Sequence, residues 1–137
     1  MNVTAGQQAP ALERTITLPD MVAYAGATWD WHRLHYDPAY LAAKRLPAPV
    51  IDGQVFGALL AEQVQDWLGP RAFVGRLGMR FRSLVFAGET VRCVATVTGA
   101  TTDGDATVVE VESRIDVVGE KPRPSVVTGH LTVAVRP

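Results

Sequence analysis

The chain has 137 residues, 47% of them hydrophobic and 20% charged, and its 13 basic and 14 acidic residues give a net charge of −1. Such a chain folds as one domain, and its near-neutral charge excludes the basic surface that nucleic-acid binding requires. We find neither an apolar run of about 18 residues nor a secretory leader, and therefore expect no membrane span. The lone Cys93 excludes an internal disulfide and fits a reducing compartment, so we expect a cytoplasmic protein.

The first third of the chain combines short elements with turns. Residues 1–10 lack periodicity, which predicts a flexible tail before a single domain over residues 11–137. Alternating side chains over residues 14–18 predict a short strand, and a proline-led turn then begins a helix over residues 20–29. Residues 38–45 predict a second short helix, because proline favours the first helical position and basic residues favour the last turn.

The strongest helical pattern covers residues 53–68. Apolar side chains recur there at steps of three and four, the polar stripe is narrow, and Gly69-Pro70 ends the helix. Such a helix requires apolar partners around most of its circumference. The chain after Pro70 alternates apolar and polar residues in four strands, at residues 76–81, 91–98, 109–117 and 127–135. Short connections favour antiparallel pairing, so we predict an α+β fold in which one antiparallel sheet curls around one long central helix.

The segment TWDWHRLHYDP, residues 28–38, carries the residues best suited to chemistry. Asp30 and His35, which are 5 positions apart, can share a water molecule, one accepting its proton while the other donates. Taken alone, these residues also fit a local turn with exposed side chains. A zinc site is a third interpretation, but the sequence offers no second ligand cluster to complete it, and we expect no metal.

A second candidate feature is Asp52-Gly53, where the long helix begins. Free N–H groups in a first helical turn carry partial positive charge, and glycine lets a ligand approach the backbone, so Gly53 suits a developing oxyanion. Ordinary helix capping by Asp52 explains the same residues. A carboxylate at this position opposes the negative charge that an oxyanion site stabilises, unless it points away or is paired.

TWDWHRLHYDP resembles the hydratase-2 motif of the MaoC-like hydratases and dehydratases. Its HRLHYD portion is most similar to the branch of mesaconyl-CoA hydratases and 3-hydroxyacyl-thioester dehydratases. Residues 80–91, RFRSLVFAGETV, resemble the family's Phe-Lys/Arg-x-Pro-Val-x-x-Gly-Asp-Thr segment. The resemblance implies the hot-dog fold, with Asp30 and His35 as the catalytic pair and Gly53 as the oxyanion-hole glycine. The departures from the family pattern are His32 for Asn, Arg33 for Pro, Asp52 for His and Leu84 for Pro.

The resemblance implies reversible hydration of a 2-enoyl thioester, bound to coenzyme A or to a carrier protein, to a 3-hydroxyacyl thioester of R configuration. It implies a lyase that needs no cofactor and assembles at least as a homodimer. Three alternatives remain open: a non-catalytic or half-active hot-dog subunit that requires a different MaoC-like partner, a hot-dog acyl-CoA thioesterase, and a plain acyl-binding module.

Five further residues are candidates for substrate binding. The aromatic residues of the segment can line an acyl pocket or simply pack at the edge of the core. The arginines on one strand face can meet the phosphates of coenzyme A or phosphopantetheine, or form a solvated sheet face. These candidates are Trp31, His32, Tyr36, Arg80 and Arg82.

Overall fold

A long helix and the antiparallel sheet around it dominate the computed structural model, which describes residues 3–137. In chain order the elements are β1 (Leu12–Thr15), α1 (Leu18–Thr28), a 3₁₀ turn (Arg33–His35), α2 (Pro38–Ala43), α3 (Gly53–Leu68), β2 (Ala72–Phe81), β3 (Thr90–Asp103), β4 (Ala106–Val118) and β5 (Arg123–Val135). The strands are ordered β1-β3-β4-β5-β2, and every neighbouring pair is antiparallel. The predicted α+β arrangement is therefore confirmed. No helix within residues 3–137 is long and apolar enough to cross a membrane.

The core lies between α3 and the inner face of the sheet. Leu60 and Val64 of α3 are fully buried, as is Leu131 on β5. Gly129 lets the helix come close to β5, because a Cβ at this position would lie 2.7 Å from Cδ1 of Leu60. This contact anchors the long helix, whose first residue belongs to the candidate site.

The first strand and first helix differ slightly from the prediction. The strand ends at Thr15, and α1 already begins at Leu18. Thr17 caps α1 by accepting a hydrogen bond from the Asp20 amide, while the Asp20 carboxylate accepts one from the Thr17 amide. This reciprocal pair, together with Pro19 in the first turn, outweighs the strand pattern of residues 16–18.

The prediction of a flexible tail over residues 1–10 is wrong for the residues that the structure describes, and residues 1 and 2 lie outside them. The Gly6 amide donates to Val97 O at 2.8 Å, and the Ala9 amide donates to Ala95 O at 3.0 Å. Val3 and Ala9 belong to the buried core. Residues 3–10, here called the arm, pair with the part of β3 that extends past β1 and would otherwise lack a partner on that side. Their hydrogen bonds are irregular and therefore leave no periodic signal in the sequence.

Gln63 of α3 ties this arm to the sheet. Its side-chain amide donates to Pro10 O at 2.9 Å and to Cys93 O at 3.0 Å, and the side chain is buried. Gln63→Ala leaves these carbonyls without their donor, so we expect a loss of about 1–3 kcal/mol in the free energy of unfolding, measured by urea denaturation. Gln65→Ala, on the exposed side of the same helix, is the control. Equal stability of both variants would contradict this role of Gln63.

The single cysteine is buried in the sheet and should be unreactive. Cys93 has no exposed surface, and burial raises the pKa of its thiol to about 12. The nucleophilic thiolate is therefore scarce at neutral pH and inaccessible to reagents. We expect a thiol-specific reagent to label Cys93 only as fast as the protein opens, and to label it immediately in denaturant. Labelling of the native chain as fast as that of the denatured chain would contradict the burial of Cys93.

Candidate active site

Asp30 is positioned by the end of α1. Trp29 ends this helix in the left-handed conformation, with φ 59° and ψ 30°, and the amides of Trp29 and Asp30 both donate to Ala25 O. A residue other than glycine adopts this conformation at a cost of roughly 1–2 kcal/mol. The Asp30 carboxylate then accepts a hydrogen bond from the His32 amide at 3.2 Å. These contacts fix the direction in which the chain leaves the helix and hold the carboxylate beside the 3₁₀ turn.

His35 closes the 3₁₀ turn and is held by a backbone carbonyl. Its Nδ1 lies 2.6 Å from Val50 O. A carbonyl oxygen only accepts, so Nδ1 carries a proton and Nε2 is the ring nitrogen free for chemistry. Val50 is itself fixed, because its amide donates to Leu34 O and it forms a β-bridge with Phe86. The half-buried imidazole is thus held in one orientation by the segment that precedes α3.

The first residues of α3 form the third side of the site. Asp52 caps the helix by accepting a hydrogen bond from the Gln54 amide at 2.9 Å, and it is only 5% exposed. Gly53 follows as the first helical residue, and within residues 3–137 its N–H has no hydrogen-bond acceptor. The Phe81 ring covers Gly53 so closely that a Cβ there would lie 2.6 Å from Cζ of the ring. An unpaired N–H thus lies at the positive end of the long helix.

Asp30, His35 and Asp52 converge. A carboxylate oxygen of each aspartate and a ring nitrogen of His35 all lie within 4.8 Å of one another. The structure therefore brings together the predicted pair and adds a third ionisable group. A carboxylate and an imidazole in such proximity can exchange protons with a water molecule between them, and the three groups together can also bind a cation.

From the sequence, Asp52 is a helix cap whose charge opposes an oxyanion, and no second ligand cluster accompanies residues 28–38. In the structure Asp52, at the start of α3, lies beside Asp30 and His35, and the expectation of no metal stays a prediction. The available signal is its position, since Asp52 occupies the place of the motif histidine that precedes the glycine. Tyr24 of α1 also belongs to these surroundings: burial and the nearby Asp52 charge raise the pKa of its phenol, which stays neutral near pH 7.

The other predicted residues of the segment surround the site. His32 caps the 3₁₀ turn, because its Nδ1 accepts a hydrogen bond from the Leu34 amide at 3.1 Å. Trp31 is 42% exposed and packs edge-to-face against Tyr36, whose hydroxyl donates to Trp31 O at 2.9 Å. Together with the exposed Trp29, these side chains form an aromatic rim beside the site. Their contact with substrate remains a prediction.

Arg80 and Arg82 are not part of this cluster. Phe81 contacts Gly53 on the helix side of the sheet, and alternation along β2 places Arg80 on the opposite face, across from Thr128. There Arg80 lines a shallow cavity of about 320 Å³ with Glu112 and His130. Arg82 lies just beyond β2, and its amide donates to Val126 O. The proposed phosphate contacts of both arginines remain predictions.

Comparison with known proteins agrees with this fold and motif pattern. The model of the MaoC like domain matches residues 2–120, and the chain therefore belongs to this family of dehydratase domains. The (R)-hydratase of A. caviae superposes with a TM-score of 0.84 at 24% identity, covering 98% of both chains. The R-hydratase PhaJ1 of Pseudomonas aeruginosa gives 0.83 at 20% identity, over 98% of this chain and 83% of that one.

A chain of the ChsH1-ChsH2 complex from Mycobacterium tuberculosis superposes with a TM-score of 0.78 at 24% identity, covering 99% of this chain and 100% of that one. A search of curated proteins finds no significant match. At these identities the structural matches establish the shared fold, and the predicted hot-dog fold and family are confirmed.

Proposed function

We propose that the chain catalyses the reversible hydration of a 2-enoyl thioester to a 3-hydroxyacyl thioester. The observation that carries this proposal is the convergence of the Asp30 carboxylate and the His35 imidazole beside the N-terminus of α3. Membership of the MaoC-like family supports the same reaction class. The addition also requires a group that holds the water and a donor that stabilises negative charge on the thioester oxygen. The free Nε2 of His35 supplies the first, and the unpaired Gly53 N–H supplies the second.

In the hydration direction, the water molecule lies between Asp30 and His35. Asp30 accepts one water proton as the oxygen bonds to C3, while Nε2 of His35 accepts a hydrogen bond from the second proton. Electrons of the C2–C3 double bond move toward the thioester carbonyl, whose oxygen accepts a hydrogen bond from Gly53 N–H. The proton then passes to C2, from Asp30 directly or through His35. One C–O and one C–H bond form, and water supplies all the atoms.

The aromatic rim and the two arginines supply the proposed contacts to the rest of the substrate. Trp31, His32 and Tyr36 flank the acyl group, and Arg80 and Arg82 meet phosphates of coenzyme A or of a phosphopantetheine carrier. Arg80 can do so only from the outer sheet face, so the phosphates would have to reach around the edge strand β2. We place the reaction in the cytoplasm and assign the R configuration to its product.

The proposed assembly is a homodimer or a larger homo-oligomer. Within residues 3–137, β2 pairs with β5 on one side only and forms an edge of the sheet. It carries the exposed side chains of Phe73 and Phe81, at 68% and 59% exposure. An apolar edge strand favours association with a second chain, and this edge includes the residue that covers Gly53.

A half-active subunit is the second candidate, and Asp52 is the observation that favours it. Its carboxylate lies directly before Gly53 and opposes negative charge on the thioester oxygen. Two different chains form the ChsH1-ChsH2 complex, which includes a chain of similar fold. A second MaoC-like chain could supply a stronger oxyanion site in such an assembly.

The test is to incubate the purified chain with a panel of 2-enoyl-CoA compounds and to follow the loss of enoyl-thioester absorbance. We expect turnover by the chain alone and a 3-hydroxyacyl product in mass spectra. Turnover only after addition of a second MaoC-like chain would favour the subunit. Release of free thiol would identify a thioesterase, and binding without consumption would identify an acyl-binding module.

A further inference from the structure

We propose that Asp30, His35 and Asp52 form a binding site for Zn²⁺, and that its occupation stops the hydration reaction. Three potential ligand atoms from two separate segments lie within 4.8 Å of one another. The binding site itself depends only on these side chains, whereas the inhibitory effect rests on the proposed function.

The two carboxylates of the cluster lack a positively charged side-chain partner within the described residues. Asp52 is 5% exposed, and within residues 3–137 one of its oxygens accepts from the Gln54 amide while the other has no hydrogen-bond donor. In the same part of the chain, neither Asp52 nor Asp30 forms an ion pair. The neighbouring phenol of Tyr24 is neutral and adds no positive charge. Buried carboxylates such as Asp52 are generally paired or bind metals, and the half-buried Asp30 lies beside it.

The backbone holds His35 in an orientation that suits a metal ligand. Its Nδ1–H donates to Val50 O at 2.6 Å, and Val50 is fixed by two further backbone contacts. Metal-binding imidazoles characteristically donate their second N–H to a carbonyl or carboxylate, which fixes the tautomer and strengthens the ligand nitrogen. In this tautomer Nε2 carries the free lone pair, and it is the ring nitrogen that would bind a metal.

The spacing and chemistry of the three ligand groups suit zinc. Tetrahedral ligand atoms about 2.1 Å from one zinc ion lie about 3.4 Å apart, so closing the site from 4.8 Å requires a movement of about 1.4 Å. Asp30 lies on a loop and is only half-buried, and it can make this movement. Three protein ligands that include an imidazole, with a fourth position open to water, favour Zn²⁺ over Mg²⁺ or Ca²⁺.

Zinc binding and hydration require the same lone pairs. A carboxylate of Asp30 bound to zinc cannot accept the proton of the attacking water, and Nε2 of His35 bound to zinc cannot hold that water. Occupation of the site should therefore block the acid–base pair.

The experiment titrates the chelator-treated full chain with ZnCl2 against a fluorescent zinc chelator. We expect one high-affinity ion per chain and at least tenfold weaker binding by Asp52→Asn. The asparagine keeps the oxygen that accepts from the Gln54 amide, so the helix cap survives. Asp37→Asn is the matched control, because Asp37 caps α2 in the same way outside the cluster. It should bind zinc like the wild type.

His130→Ala examines a second His and carboxylate cluster, in which His130 lies between Glu110 and Glu112 on the outer sheet face. It should leave the binding unchanged. Failure of the wild type to bind, equal binding by Asp52→Asn and Asp37→Asn, or loss of binding in His130→Ala would each overturn the proposed site.

Hydration by the metal-free chain, assayed with and without ZnCl2, separates the two proposals. Zinc binding with the expected variant pattern, but no hydration under any condition, would leave the site standing and refute the proposed function. Hydration by a chain that does not bind zinc and is not inhibited by it would refute the zinc proposal alone. Stimulation of hydration by zinc would refute the inhibitory role of the site.

Discussion

Asp30→Asn is expected to lower kcat for hydration of a 2-enoyl-CoA by about 10²- to 10⁴-fold, the contribution typical of a general base. Asparagine keeps the oxygen that accepts from the His32 amide, so the loop geometry survives while the proton acceptor is lost. His35→Ala should produce a loss of similar size, because it removes the ring nitrogen that holds the water. The measurement is the initial rate of loss of enoyl-thioester absorbance at saturating substrate.

Asp37→Asn serves as the matched control for this loss. It removes a carboxylate from the same segment, where Asp37 caps α2 and pairs with Arg33, but outside the converging groups. Its kcat should stay within about threefold of the wild type, and circular dichroism should show that all three variants fold. Wild-type rates in either Asp30→Asn or His35→Ala would refute the assignment of the pair.

Gly53→Val is expected to lower turnover by about 10²-fold, the effect of losing one oxyanion donor, with little loss of stability. A Cβ at residue 53 meets the tip of the Phe81 ring at 2.6 Å, and this side chain is 59% exposed, so the ring can move outward. The displaced ring and the new methyl groups then occupy the space through which a thioester oxygen reaches the N–H. The measurements are kcat and the free energy of unfolding in urea.

Gly57→Val is the control for this substitution. Residue 57 lies one turn further along α3, where a Cβ also meets the flexible end of a side chain, Cε of Met79 at 3.0 Å. The control should lose stability in a similar range but keep most of its turnover. Parallel losses of turnover and stability in Gly53→Val would mean that Gly53 serves the helix cap and not the reaction.

The sequence predicts best those elements whose ends are set by residues at the ends themselves. The predicted bounds of α3, residues 53–68, agree with the structure because Asp52 caps the helix and Gly69-Pro70 ends it. The four long strands follow from alternation, although β2 begins at Ala72 and not at residue 76. The packing of residues 3–10 on β3 escapes prediction because its hydrogen bonds depend on a strand about 90 residues further along the chain.

The candidate site also combines residues that a local segment predicts with residues whose position depends on long-range contacts. Asp30 and His35 lie in one short segment, and their residue types alone suggest joint action. The place of Asp52 depends on long-range pairing: Ile51 N donates to Val85 O, and Val50 bridges Phe86, which brings the start of α3 against the 3₁₀ turn. Similarly, the contact of Phe81 with Gly53 depends on the register between β2 and β5, which local patterns do not specify.

The most direct test of the central claim is a crystal structure of the chain with a bound 3-hydroxyacyl-CoA. The account predicts that the 3-hydroxyl oxygen lies about 3 Å from both the Asp30 carboxylate and Nε2 of His35, with the thioester oxygen about 3 Å from the Gly53 nitrogen. A 3-hydroxyl group bound away from both side chains, or a thioester oxygen turned away from Gly53, would contradict it.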